Sequence, residues 1–318
     1  MTPADRILSP WFCRRSWRAP MLGWALACLL TVLGGEWAMA ADAAPLRVVP
    51  LKLHDRVLAL RYDVYVGGFY VFGFDASVGL DRGTYAVMLE GGTRGLLSRF
   101  WTWRLGMSST GAASSPSDLI PAEFDSTSEW RGKPRRTTVR FAGGGHYVIE
   151  RDPPESAEDR DNEIDDVLPT SLPVGTMDPI AASLAALAAS GRDGTCERRI
   201  PVFDGKRRYD LIVHDGEGAT TLHPSNFSAY TGPALACRIA LDRISGFNAR
   251  RTAHYWDDDG GNLPVIWAAS LAAGLPMVPV RFMAPMAIAG NVGTMVVHLV
   301  RAEVQEKGAT RVLVELNR

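Results

Sequence analysis

The chain has 318 residues, 47% of them hydrophobic, and a formal net charge of −1. That is enough apolar material to bury a full core as one large or two modest domains. A near-neutral balance excludes an overall field that would recruit nucleic acid or an anionic membrane, and aromatics interleaved with basic runs in the manner of nucleic-acid binders are absent.

Residues 1–40 read as a cleavable secretory signal. Arg14, Arg15 and Arg18 precede an apolar run from Met21 to Leu33, and Ala38-Met39-Ala40 supplies small residues for cleavage. The run is too short for a good membrane span, so no transmembrane span is expected in the mature chain. A lipoprotein reading of Cys28 is weaker, because Ala25 stands where a lipobox requires Leu. Residues 41–318 then form a single β-rich domain in an oxidising, periplasmic compartment.

From Val57 the pattern has period two. Leu58, Leu60, Tyr62 and Val64 share one face, with Arg61 and Asp63 on the other. Gly67-Gly68 turns the chain. Phe72, Phe74, Ala76, Val78 and Leu80 then alternate with small or polar residues, and Tyr85, Val87 and Leu89 follow a turn at Asp81 to Gly83. This is an antiparallel meander with one buried face. Gly73 and Gly79 on the open face point to strong curvature or a close backbone approach.

Gly95 to Trp103 breaks the alternation. Leu96, Leu97, Phe100 and Trp101 fit a short helical turn, read either as a hydrophobic plug or as an aromatic wall of a ligand cavity. Gly111 to Asp118 reads as a loop. Short strands are expected around Glu123 to Ser128, Arg135 to Phe141 and Tyr147 to Arg151.

Residues 152–166 are acidic and read as a disordered, solvated loop. Asp159, Asp161 and Glu163 invite a calcium reading, but Ile164 and Thr170 stand where an EF-hand needs Gly and Glu. A helix comes next. Asp178 is an N-cap, Pro179 suits the first turn, and the Ala-rich run from Ile180 to Ala189 continues to Gly191. It is apolar nearly all round, so it belongs inside the sheet.

Cys196 opens the hairpin around which the second half is organised. Ile200, Val202 and Phe203 lead into Asp204-Gly205, and Tyr209, Leu211 and Val213 alternate on the way out. Asp215 to Gly218 reads as a turn. Leu235, Cys237, Ile239 and Leu241 alternate again, and His254 to Trp267 reads as strand, sharp turn and strand. Val278 to Met283, Met295 to Val304 and Arg311 to Leu316 complete the sheet, the last two joined at Glu306 to Gly308. Cys196 and Cys237 are the two cysteines beyond residue 40, and an even pair in an exported chain is most simply a disulfide.

Catalytic signatures are missing. There is no G-x-S-x-G, no Walker loop, no H-E-x-x-H and no G-x-G-x-x-G, and the six histidines have no metal-ligand spacing. No catalytic residue, metal site or cofactor is therefore assigned. Asp257 to Asp259 stand before Gly-Gly, as turn residues do.

Four segments carry a resemblance: Tyr62 to Asp75, Met177 to Leu187, Pro201 to Leu211 with its flanking cysteines, and Val278 to Phe282. In these the chain resembles the uncharacterised bacterial family called domain of unknown function 3108. The resemblance covers most of the chain and implies a small exported envelope protein, with no catalytic residues to carry over. It also implies a fold similar to periplasmic lipoprotein carriers: mainly β, a strongly curved antiparallel sheet, open or half-barrel, wrapped round one Ala-rich helix. The acidic insert and the Ala-rich stretch Ala268 to Gly274 depart from the pattern.

The preferred function is a non-catalytic periplasmic protein that binds an apolar or lipid-like envelope ligand. The cavity candidates are Tyr62, Phe72, Phe74, Tyr85, Phe100, Trp101 and Trp103, large side chains facing a helix of small ones. The expected partner is a lipid or another envelope protein. A scaffold protein with a filled interior is the alternative, and a hydrolase using carboxylates from separate strands ranks below it.

Overall fold

The structure is a computed structural model that describes residues 55–81, 83–154, 173–247, 263–288 and 291–316. Alternating apolar residues build the strands, and tight turns lay each strand antiparallel to the last. The first half gives β1 (Arg56–Val66), β2 (Phe69–Asp81), β3 (Gly83–Thr93), β4 (Trp103–Ser115), β5 (Asp118–Trp130), β6 (Lys133–Gly143) and β7 (His146–Asp152). A 3-10 turn, Gly95–Arg99, sits between β3 and β4. After the helix α1 (Pro179–Asp193) come β8 (Arg198–Phe203), β9 (Arg208–Leu222), β10 (Gly232–Ser245), β11 (Val265–Ser270), β12 (Met277–Ile288), β13 (Asn291–Glu306) and β14 (Ala309–Glu315).

All fourteen strands belong to one antiparallel sheet in the order β7-β6-β5-β4-β3-β2-β1-β13-β12-β11-β10-β9-β8, with β14 added beside β13. Each half of the chain is a meander of neighbours. They meet where β1 pairs β13, from Arg56 opposite Glu306 to Val66 opposite Met295. The expected fold, a curved antiparallel sheet around one Ala-rich helix, is the fold observed.

The sheet curls until its ends touch. Phe203 of β8 is fully buried against Phe124 and Val139, and its ring lies 4.9 Å from that of Tyr147 on β7. Contact of side chains, with no ladder of backbone bonds among the described residues, closes the ring.

The helix is held at both ends. Asp178 accepts hydrogen bonds from the Ile180 and Ala181 amides at 2.9 Å, and Gly194 ends the helix in the left-handed conformation. Ala181, Ala182, Ala185 and Ala189 are buried, because small side chains let the helix approach the backbones of the surrounding strands closely. No helix among the described residues is long and apolar enough to cross a membrane.

Several local expectations are corrected. Gly111 to Asp118 is no loop: β4 runs to Ser115 and β5 starts at Asp118, with Ala113 and Leu119 buried on the inner face. Small residues let those strands pack tightly, which hid them as strand formers. Asp215 to Gly218 is no turn either, since β9 runs through it. The extra residues form a bulge opposite Ala236 and Cys237, and Gly218 absorbs it at a φ of 73°. The signal segment 1–40, the acidic residues 155–166 and the aspartates 257–259 lie outside the described residues.

Cys196 and Cys237 form a disulfide, with Cα atoms 5.7 Å apart. Both are buried and joined to the interior through Ala186 and Val213.

Candidate functional site

Inside the curl, the inner face of β1–β3 is an apolar ladder. Leu60 lies opposite Ala76, which lies opposite Leu89; Tyr62 lies opposite Phe74, and Val78 opposite Val87. Across from it stand Leu211, Ile239, Leu241, Ile266 and Phe282 from β9–β12. Between these walls the helix presents Ile180, Ser183, Leu184 and Leu187, a stripe at i, i+3, i+4 and i+7.

The three surfaces line a partly open cavity of about 530 Å³. Its size falls in the range of small-molecule sites. Phe74, Leu89, Ile180 and Leu187 keep accessible surface although they face inward. A filled core would have covered them. No carboxylate stands among the lining residues, and Arg281 is their one charged member.

The few polar groups are mostly committed. The Tyr62 hydroxyl donates to the Pro279 carbonyl at 2.9 Å, and burial pushes its ionisation far above the usual tyrosine range. Tyr85 is fully buried away from the cavity and shares a 2.9 Å hydrogen bond with Ser109, whose hydroxyl donates to Asp178 at 2.7 Å. Burial pushes the Asp178 carboxyl up to about 6, against the amides and hydroxyl that favour its charged form.

A second polar group lies in register across the centre of the sheet. Asp63 of β1 is opposite His298 of β13, and His298 is opposite Arg281 of β12. All three carry charge or can, yet Asp63 and His298 are buried. His298 is packed by the rings of Tyr65 and Phe227, and its Nδ1 and the Arg281 Nε have no hydrogen-bond partner among the described residues. Burial, then the neighbouring Arg281, holds the His298 imidazole down to about 4. Its neutral form is thus the one the fold holds at ordinary pH.

The seven aromatic candidates separate into three places. Tyr62 and Phe74 line the cavity, stacked at 4.7 Å. Phe72 continues that column two residues further along the strand, opposite Val64, and meets Trp103 at 5.2 Å. Gly91 gives both phenylalanines room: a Cβ there would stand 2.6 Å from Phe74 Cβ and 2.7 Å from a Phe72 ring carbon. Tyr85 is core. Phe100 and Trp101 are 77% and 44% exposed, on the β3–β4 connection. Phe100 and Trp101 therefore neither plug the core nor wall the cavity, and the Thr93 hydroxyl tethers the backbone beside them, donating to the Trp101 carbonyl and accepting from the Trp103 amide.

Sequence reasoning, which read His298 as a structural strand histidine, missed the helix stripe Ile180, Ser183 and Leu187 as lining, and the pairing of buried Asp63 with His298. Helical spacing held a signal for the first. The second had none, because the polar residues come from strands over two hundred positions apart.

A family model described as "Protein of unknown function (DUF3108)" matches residues 61–281. No curated protein matches the chain. Among solved structures, a similar chain is that of a crystal structure described as a beta-barrel-like protein of domain of unknown function DUF1849 from Brucella abortus. It is 11% identical, the match covers 79% of this chain and 98% of that chain, and the TM-score is 0.38.

Proposed function

Because the chain belongs to the DUF3108 family, whose description assigns no activity, we propose a function from its interior: it is an exported, non-catalytic protein that binds an apolar, lipid-like ligand between α1 and the curved sheet. The observation that carries the reading is the 530 Å³ cavity whose lining is aliphatic and aromatic almost throughout. Apolar chains enter such a space by shedding water from both surfaces, at roughly 25 cal/mol per Å² buried. The disulfide supports an oxidising compartment.

The test is to fill the cavity. Ser183 faces it from the helix, so Ser183→Trp places an indole where the ligand would lie. Native mass spectrometry and titration with an apolar fluorescent dye are the readouts. The wild-type protein is expected to retain lipid and bind dye, and the variant to lose at least tenfold in dye affinity while unfolding at a similar denaturant concentration. A folded wild-type protein that takes up neither lipid nor dye would overturn the reading and favour a scaffold.

A further inference from the structure

Exposed aromatic side chains are not spread evenly over this molecule. Six large aromatics are exposed among the described residues, and five of them, Phe69, Phe100, Trp101, Trp103 and Trp130, lie on three hairpin tips. Those tips are the β1–β2, β3–β4 and β5–β6 connections. In an antiparallel meander alternate connections share one end of the sheet, so all three project together. Phe69 is 76% exposed and Trp130 48%. The tips at the opposite end, at Gly83, Pro116-Ser117 and Gly144-Gly145, carry none.

The arrangement is fixed. Gly67 and Gly68 have φ values of 57° and 85°, and Arg131 and Gly132 of 52° and 76°, as tight two-residue hairpins require. Trp103 lies opposite Trp130 in the β4–β5 ladder, and its indole donates to Ser128 at 3.2 Å. The Arg131 amide ties the third tip to the second through the Thr102 carbonyl at 3.1 Å. Such aromatics stay in water because neighbouring backbone contacts hold them there.

Basic residues flank them, although Glu90, Glu129 and Asp152 also stand at this end of the sheet. Residues 94–104 carry three arginines and no carboxylate, and residues 129–136 carry four basic residues against Glu129. Arg104 is matched to Glu129 and Arg136 to Asp125. Arg94, Arg99, Arg131 and Lys133 have no ion pair among the described residues, and the Arg131 guanidinium lies 5.8 Å from the Trp130 ring centre.

We propose that this rim is a docking surface for an anionic lipid bilayer, with the aromatic rings seated at headgroup depth and the free cations on lipid phosphates. Exposed Trp and Phe with interspersed Arg and Lys are the composition that partitions into a charged membrane interface. Charge complementarity selects an anionic surface over a neutral one. The rim also joins the interior: Trp103 touches Phe72, and the column continues to Phe74 and Tyr62 at the cavity wall. Docking there would bring that wall toward the bilayer, but the docking itself does not depend on what the cavity holds.

Co-sedimentation of the full protein with phosphatidylglycerol and with phosphatidylcholine vesicles tests the proposal. Binding is expected to the first, weakening with added salt. The triple variant Arg99→Gln, Arg131→Gln, Lys133→Gln is expected to bind on the order of 100-fold more weakly, at about fivefold per cation near an anionic surface. Phe100→Ser with Trp101→Ser is expected to lose at least tenfold. Both variants should unfold as the wild type does, because the changed side chains are exposed. Dye uptake by the cavity should be unchanged in both, and Ser183→Trp should still bind vesicles, so the two proposals fail separately. A wild-type protein that ignores phosphatidylglycerol vesicles, or variants that bind them equally well, would overturn the proposal. So would self-association in solution that the serine variant abolishes, since a second copy would then be what the rim binds.

Discussion

The Arg151 guanidinium on β7 donates a 2.6 Å hydrogen bond to the Gly205 carbonyl in the turn between β8 and β9. The two residues belong to opposite ends of a fourteen-stranded sheet, and their bond marks where it closes. Gly205 is a contact as well as a partner. It has a φ of 91°, and a Cβ there would stand 2.8 Å from Val139 Cγ2 and 2.9 Å from Thr137 Cγ2.

Gly205→Ala should therefore destabilise the protein by about 2–3 kcal/mol, combining strain at positive φ with overpacking at the seam. Arg151→Ala should cost less, about 1 kcal/mol, because the side chain is half-buried and water replaces part of its bond. Urea denaturation measures both. A neutral Gly205→Ala would mean that the seam is not closed in solution.

Asp178 makes stability depend on pH in an unusual direction. Its carboxyl sits near 6 in the folded protein against an ordinary value of 3.8. The folded state therefore holds the proton more tightly, so this group's contribution is complete below the ordinary value and is lost as pH rises through about 6. Two pH units correspond to about 3 kcal/mol. Asp178→Asn keeps an N-cap and should flatten the change in denaturation midpoint between pH 4.5 and 7.5. An unchanged slope in the variant would assign the effect elsewhere.

His298 acts with the opposite sign. Its imidazole is held down to about 4 from 6.5. Stability from the neutral ring is complete above 6.5 and lost as pH falls toward 4, where protonation would place a cation beside Arg281. His298→Gln should relieve acid destabilisation in that window, read by thermal unfolding at pH 5 against pH 7. Equal acid sensitivity in wild type and variant would contradict a buried, neutral histidine.

One substitution made at two leucines separates core from cavity. Leu299 is fully buried, and Leu299→Ala should cost about 2–5 kcal/mol. Leu187 faces the cavity, where less packing exists to lose, and Leu187→Ala should cost under about 1.5 kcal/mol. Comparable losses in denaturation would show the space to be filled.

The Cys196–Cys237 bond closes a loop with a separation of 41 residues. Replacing both cysteines with alanine should cost about 4 kcal/mol in the chain-entropy model. Reduction of the wild-type protein should produce a similar fall in denaturation midpoint.

The elements with short-range signals were the legible ones. Asp178-Pro179 announced the helix, Asp204-Gly205 the hairpin, and the alternation from Val57 the inner face that holds Tyr62 and Phe74. Hydrophobicity said less about Phe100 and Trp101, because large aromatics in a break of pattern look alike whether they plug a core or stand in water. The backbone beside them is tethered at Thr93, by a hydroxyl whose partners no periodicity reveals. Buried Asp63 looked like an open-face residue because alternation cannot report what packs over a strand. Its neighbour Arg61 does serve that outer face, paired with Asp75 across β1–β2 at 2.8 Å.

The pairing of β1 with β13 has a consequence for how the chain can find its fold. Neighbouring strands within β1–β7 and within β8–β13 are also neighbours in sequence, so each wing can zip up by short steps. The central ladder joins Arg56 to Glu306 and must wait until both ends of the chain exist together. Loop-closure entropy concentrated in one ladder slows folding. Opening the chain between β7 and α1 and linking 316 to 55 would turn that ladder into a local one. The two wings would then follow one another as a nearly continuous meander, leaving the ring's closing seam as the remaining distant contact, and refolding of such a circular permutant should be faster than that of the natural order.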